Sequence, residues 1–138
     1  MPDRLCLLID DDMDDREIFA DALSDTNQSC RLMTAANGLE GMQILTDLET
    51  PPDVIFLDLN MPVMSGKQCL HEIRKTSKFN GIPVVIYTTS SYSGDIEETK
   101  QAGASHFLVK PASMRKLTEA LATLLSSPEI PFFFNPED

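Results

Sequence analysis

The chain contains no tryptophan and only three cysteines, Cys6, Cys30 and Cys69, an odd number with no CxxC or other metal-ligand spacing. That excludes a cysteine zinc site and a disulfide-stapled scaffold, and the expectation is three reduced thiols used as small hydrophobes in a cytosolic protein. Basic residues are also scarce. Eleven Lys and Arg, scattered along the chain, stand against 22 Asp and Glu, a formal net charge of −11. Without a basic stripe to neutralise phosphates, direct nucleic-acid binding is excluded. No apolar run approaches the roughly 20 residues of a membrane-spanning helix. The start, Met1-Pro2-Asp3-Arg4, leads into a strand-like run rather than a signal sequence. A cytoplasmic protein that makes no use of a membrane is expected.

What is present points to one α/β domain. The 138 residues are 42% hydrophobic and 24% charged, enough apolar content for a core without staples. Short apolar runs of β type at residues 5–9, 31–35, 54–57, 84–87 and 107–109 alternate with longer segments of helical period. Their near-continuous hydrophobicity suits parallel strands covered on both faces. Helix starts are marked by Asp14 with Glu17, Asn37 with Glu40 and Ser65 with Gln68. Inward stripes are expected at Ile18, Phe19, Ala22 and Leu23, at Leu39, Met42, Leu45 and Leu48, and at Leu117, Leu121, Leu124 and Leu125. The segment SSYSGDIEETKQA, residues 90–102, has Ile96 almost alone among polar residues, so a weakly held helix is expected there.

In an open parallel sheet, ligands bind beyond the carboxyl ends of the strands. Those ends carry Asp10, Asp11 and Asp12 after the first strand, Asp58 in VIFLDLNMP, Thr88 in VVIYTTS and Lys110 in FLVKP. Asp12, Asp14 and Asp15 read as capping charges at the start of a helix. Asp58 resists such a reading, because a carboxylate inside an apolar run is a poor strand residue without a purpose. The stretch LLIDDDMDD crowds five aspartates into six positions. Neighbouring carboxylates resist being ionised together unless a cation offsets them.

These motifs resemble the receiver domain of the two-component response-regulator family. The resemblance rests on Asp10-Asp11 after LCLLI, Asp58 within DVIFLDLNMPVMSG, Thr88 after IPVVIY, and QAGASHFLVKP. It covers residues 4–127, the expected receiver domain, and leaves residues 128–138 as a Phe-rich tail. It implies a flavodoxin-like sheet of five parallel strands in the order 2-1-3-4-5, with helices on both faces. It also implies Mg2+ held by the Asp11 and Asp58 carboxylates and the Asn60 backbone carbonyl, with Asp10 acting through water.

Asp58 would then be the nucleophile that takes a phosphoryl group from a phosphohistidine donor, with Lys110 and Thr88 supporting the transferred group. Thr88 and Phe107 would form the switch: Thr88 moves to the phosphoryl group and Phe107 turns inward to fill the vacated space. A sensor histidine kinase or phosphotransfer protein would be the donor. The chain would be a phosphoacceptor that assists its own phosphorylation and dephosphorylation rather than an enzyme acting on a separate substrate. The readout surface would be the fourth helix, fifth strand and fifth helix, and the protein a monomer or weak dimer. Departures from the family pattern are Thr89, where a smaller side chain is common, and Ala112, where an aromatic is frequent. The resemblance further implies a cis Lys110–Pro111 bond.

Only PEIPFFFNPED follows the expected domain, so output through protein contact is expected, with the three phenylalanines packing back on the domain. Two other readings belong to different classes. One is a receiver-shaped interaction module that is never phosphorylated. The other is a haloacid-dehalogenase-like phosphatase, with Asp10 as nucleophile and Asp12 as acid. The phosphatase reading leaves Asp58 without a role and lacks the later acids that family uses for Mg2+.

Overall fold

The central strands are apolar on both of their alternating faces, so both must be covered, and the intervening amphipathic segments do so. The computed structural model describes residues 4–26, 28–127 and 129–138. In chain order the elements are β1 (Arg4–Ile9), α1 (Met13–Ser24), β2 (Cys30–Ala35), α2 (Gly38–Asp47), β3 (Val54–Leu57), α3 (Gly66–Lys75), β4 (Val84–Thr88), α4 (Ser93–Gln101), β5 (His106–Val109), α5 (Met114–Ser126) and β6 (Phe133–Phe134). All strand pairs are parallel.

The sheet order is β2-β1-β3-β4-β5-β6. The expected order stands, with a correction: the tail adds a sixth strand, so the sheet is six-stranded rather than five-stranded. A tripeptide of phenylalanine has no alternation to mark it as a strand, and its pairing comes from the exposed edge of β5.

The period of two sorts the core into two clusters. Leu7, Ile9, Ile55, Leu57, Val84, Ile86 and Phe107 point to the face covered by α2, α3 and α4. Cys6, Leu8, Phe56, Val85, Tyr87 and Leu108 point to the face covered by α1 and α5. There Phe19 makes edge contacts with Phe56 and Tyr87, at centroid distances of 4.9 and 5.3 Å.

The α5 stripe is buried as expected, but in the other stripes Met42 and Leu48 are only half-buried and two residues are exposed. Ile18 is 42% exposed and Leu39 53% exposed. Helical spacing locates a face, and each of these residues lies at its rim. The first helix is capped by Asp12, which accepts from the Asp15 N–H, two residues earlier than expected. Asn37 caps α2, and Ser65 and Gln68 form a reciprocal capping box on α3. In contrast α4 has no side-chain cap and buries only Thr99, consistent with a weakly held element.

The cysteine expectation needs correction. Cys6 and Cys30 form a disulfide, with Cα atoms 6.6 Å apart, and only Cys69 is a free, buried thiol. The pairing follows from register: Arg4 lies beside Cys30 and Cys6 beside Leu32, so the two cysteines are diagonal neighbours on adjacent strands. The Lys110–Pro111 bond is also not cis, since no cis peptide occurs among the described residues. The trans form is the intrinsically preferred one for an X–Pro bond. No helix among the described residues is long and apolar enough to cross a membrane.

Candidate functional site

The acidic residues that end β1 and follow β3 meet because those strands are neighbours. The Asp58 N–H donates to Ile9 O at 3.0 Å and the Asp10 N–H to Ala35 O at 3.0 Å, which carries the pairing one step beyond the strands. Carboxylate oxygens of Asp10, Asp11 and Asp58 consequently lie within 4.8 Å of one another. Asp10 and Asp58 are buried, and Asp11 is exposed at the rim. The Asp58 side chain is oriented by its neighbour's backbone: the Leu59 N–H donates to Oδ1 at 2.8 Å. Beneath it Gly66 N–H donates to Leu59 O at 2.8 Å. A Cβ at Gly66 would overlap the Asp58 carbonyl oxygen and Leu59 Cα, so only glycine lets the loop close under this residue.

Lys110 supplies the opposing charge. Its Nζ lies 2.8 Å from Asp10 Oδ2, 2.7 Å from Asp15 Oδ2 and 3.7 Å from Asp58 Oδ2. It also stands 5.0 Å from the centroid of the Tyr87 ring, a cation–π contact that adds to its fixation. Sequence reasoning missed two of these contacts. Asp15 is read from the sequence as a capping charge, and Tyr87 only as the end of an apolar strand run. No sequence signal separates Asp15 from the neighbouring capping acids; its contact with Lys110 arises only from the folded geometry. Arg16 adds a third: its Nη1 donates to Asp10 O at 2.8 Å.

One ammonium cannot balance this many acids. Burial pushes Asp58 up to about 6, and the attraction of Lys110 only partly opposes that, while Asp10 and Asp11 repel the charge further. Burial also raises Asp10, although Lys110 and the Asp12 N–H hydrogen-bond to it. Lys110 is raised despite its own desolvation, because hydrogen bonds to Asp10 and Asp15 favour the ammonium. The donor set is therefore short of positive charge. It consists of hard carboxylate oxygens on loops that leave one side open, which fits a small divalent cation that keeps several waters, such as Mg2+.

The remaining expected residues are placed as follows. Asn60 is exposed, two residues beyond Asp58 on the loop leading to α3. Thr88 is fully buried at the end of β4, its Oγ1 accepting weakly from the Ser90 N–H at 3.4 Å. The Lys110 N–H donates to its carbonyl at 2.7 Å, so Thr88 and Lys110 share one edge of the sheet. Phe107 is fully buried, in the same cluster as Ile86 and Leu57. Beyond Thr88 a polar relay fastens α4. Ser90 Oγ donates to Asp95 Oδ2 at 2.7 Å, and Lys67 of α3 pairs with Asp95 at 2.7 Å. The loop between Asp58 and α3 contains a backbone outlier, Val63, at φ 71° and 77% exposed.

Comparison with known proteins places this geometry. The response regulator receiver domain family matches residues 6–122. The chemotaxis protein CheY1 of Helicobacter pylori is 29% identical over 121 residues, covering 88% of this chain and 96% of that protein. The sensor histidine kinase CheAY of the same organism is 34% identical over 116 residues, which is 84% of this chain but only 14% of that kinase. Among solved structures, the phosphorylated cyanobacterial phytochrome response regulator RcpA superposes with a TM-score of 0.83 at 26% identity, covering 91% of this chain and 96% of that one.

Proposed function

The chain belongs to the response regulator receiver domain family, and we propose that within it Asp58 is the phosphoacceptor of a receiver that signals through protein contact. The observation that carries this reading is the convergence of Asp10, Asp11 and Asp58 around the single ammonium of Lys110. Asp10 and Asp58 are both buried and each accepts a backbone N–H on Oδ1, but Asp10 Oδ2 is held by Lys110 at 2.8 Å whereas Asp58 Oδ2 stands 3.7 Å from that ammonium, which supports Asp58 as the acid left to react. Its raised pKa of about 6 still leaves it mostly ionised at pH 7, as a nucleophile must be.

An Asp58 oxygen attacks the phosphorus of a phosphohistidine. A new O–P bond forms as the P–N bond breaks, and the imidazole leaves with the pair of electrons. Lys110 keeps its positive charge beside Asp58 throughout, and its anchorage to Asp10 and Asp15 holds it in place without reorganisation. The Thr88 hydroxyl donates to a phosphoryl oxygen once it leaves its weak contact with Ser90, and Phe107, already fully buried, shifts further toward the space this vacates. Mg2+ would be held by Asp11, Asp58 and the Asn60 carbonyl, with Asp10 acting through water; when bound it neutralises charge on the phosphoryl oxygens.

The partners we infer are a sensor histidine kinase or phosphotransfer protein as donor and a protein target read through α4, β5 and α5. Catalysis is confined to the chain's own phosphorylation and hydrolysis. We place these events in the cytoplasm on the strength of the donor chemistry, the reduced-thiol argument having fallen with the Cys6–Cys30 pair. The test is intact mass after incubation with acetyl phosphate: one phosphoryl increment that needs Mg2+ and is abolished by Asp58→Asn. No increment with acetyl phosphate or with any phosphohistidine donor would leave an unphosphorylated interaction module.

A further inference from the structure

The tail lies on the face just assigned to readout, and it does so through the switch residue. The Phe107 N–H donates to Phe132 O at 2.7 Å, and Phe133 pairs with Phe107 in the register of β5 and β6. Alternation then puts Phe133 on the same side of the sheet as Phe107, with ring centroids 6.0 Å apart, while Phe134 turns to the α5 side. Both flanking helices hold the segment. Lys100 of α4 stands 5.8 Å from the centroid of the Phe132 ring, and Lys116 of α5 pairs with Glu137 at 2.7 Å. The other Glu137 oxygen accepts from the Ala112 N–H at 3.1 Å, two residues beyond Lys110.

A two-residue strand carrying half-buried side chains is marginal by itself, so its docking depends on the surface beneath it. That surface is Phe107, fully buried in the cluster that holds Leu57 and Ile86. A Phe107 ring that left that cluster would break its contact with the Phe133 ring, now 6.0 Å away between centroids, and the tail would lose part of the backing for its pairing.

We propose that residues 130–137 are an intramolecular ligand of the α4–β5–α5 face that seats on Phe107 in its buried position, so that tail docking and phosphorylation of Asp58 favour one another. This rests on the roles given above to Asp58 and Phe107. The coupling is reciprocal: whatever phosphorylation adds to tail docking, the docked tail adds to retention of the phosphoryl state. A target of this face therefore meets an aromatic strand already in place, and it binds that composite surface or competes for the edge of β5 with an extended segment of its own.

The test is amide hydrogen exchange on the full chain, with and without acetyl phosphate and Mg2+, with intact mass read on the same samples. Protection of the Phe107 amide should rise about fivefold or more on phosphorylation. Phe133→Ala should lower that protection and abolish its rise while the phosphoryl increment remains. Glu137→Gln, which leaves the aromatic contacts intact, should lower it by less. A phosphorylated protein whose Phe107 protection is unchanged or reduced would overturn the linkage. So would protection that grows with protein concentration together with a dimer, because the tail on each copy would then come from the other. Absence of the phosphoryl increment would instead overturn the reading of Asp58, and the linkage with it.

Discussion

Asp58→Asn should make the metal-free protein more stable at neutral pH, although it removes the proposed phosphoacceptor. The carboxyl titrates at about 6 in the folded protein against an ordinary 3.8, because burial penalises its charge and Asp10 and Asp11 repel it. The folded state therefore binds a proton more tightly than the unfolded chain does. This group's contribution to stability is most favourable below pH 3.8 and is lost as pH rises to 6 and above. A shift of this size corresponds to about 3 kcal/mol at pH 7, with the attraction of Lys110 already included. Asparagine mimics the protonated acid in shape and charge, so the variant should recover most of that amount. With an unfolding entropy of about 2.1 cal/mol/K per residue, the melting temperature of a chain this size rises by about 10 °C. Thermal melts in EDTA from pH 4 to pH 8 are the assay, and the gap between variant and wild type should open between pH 4 and pH 6 and stay constant above. A variant no more stable than wild type at pH 7, or a gap that ignores pH, would refute the electrostatic account of the cluster.

Three sites make further demands. At fixed ionic strength Mg2+ should stabilise the wild type by about 1.4 kcal/mol at tenfold excess over its dissociation constant; melting curves should show that shift vanish in Asp11→Ala. Lys110→Met strands the buried Asp10 carboxylate and should cost about 3 kcal/mol or more at pH 7 in urea titrations. That deficit should shrink toward pH 4 as Asp10 and Asp58, both raised, take up protons. Val63→Gly should stabilise the protein by about 1 kcal/mol in the same titrations, since a β-branched residue at φ 71° pays for a backbone that glycine adopts freely. A stability loss at Val63 would mean that its exposed side chain makes a contact worth more than the strain.

The sheet and the acidic crevice were legible because both follow from strand ends. An apolar run that stops in an aspartate announces its own carboxyl edge, and parallel order brings Asp10, Asp58 and Lys110 to the same edge. What lay outside that logic was set by register and by neighbours far away in sequence. Cys6 and Cys30 are brought together as diagonal neighbours by the register of β1 with β2, to which a spacing of 24 residues gives no clue. The strand at Phe133–Phe134 exists because β5 leaves an open edge, not because three phenylalanines prefer a strand. Asp15 looked like one capping acid among several, and only the reach of Lys110 across the top of α1 singles it out. Ile18 and Leu39 share the spacing of core residues, but where the sheet ends relative to a helix face decides which of them it covers.

The claim on which the rest depends is that Asp58, rather than Asp10 or Asp11, receives the phosphoryl group. The most direct measurement is peptide mapping of the protein after reaction with acetyl phosphate and Mg2+, with Asp10→Asn and Asp58→Asn in parallel. The modification should map to residue 58 alone, fall in Asp10→Asn without moving, and disappear in Asp58→Asn. A phosphoryl group found on Asp10, or one that survives Asp58→Asn, would contradict the account and favour a phosphatase-like use of the first strand's aspartates.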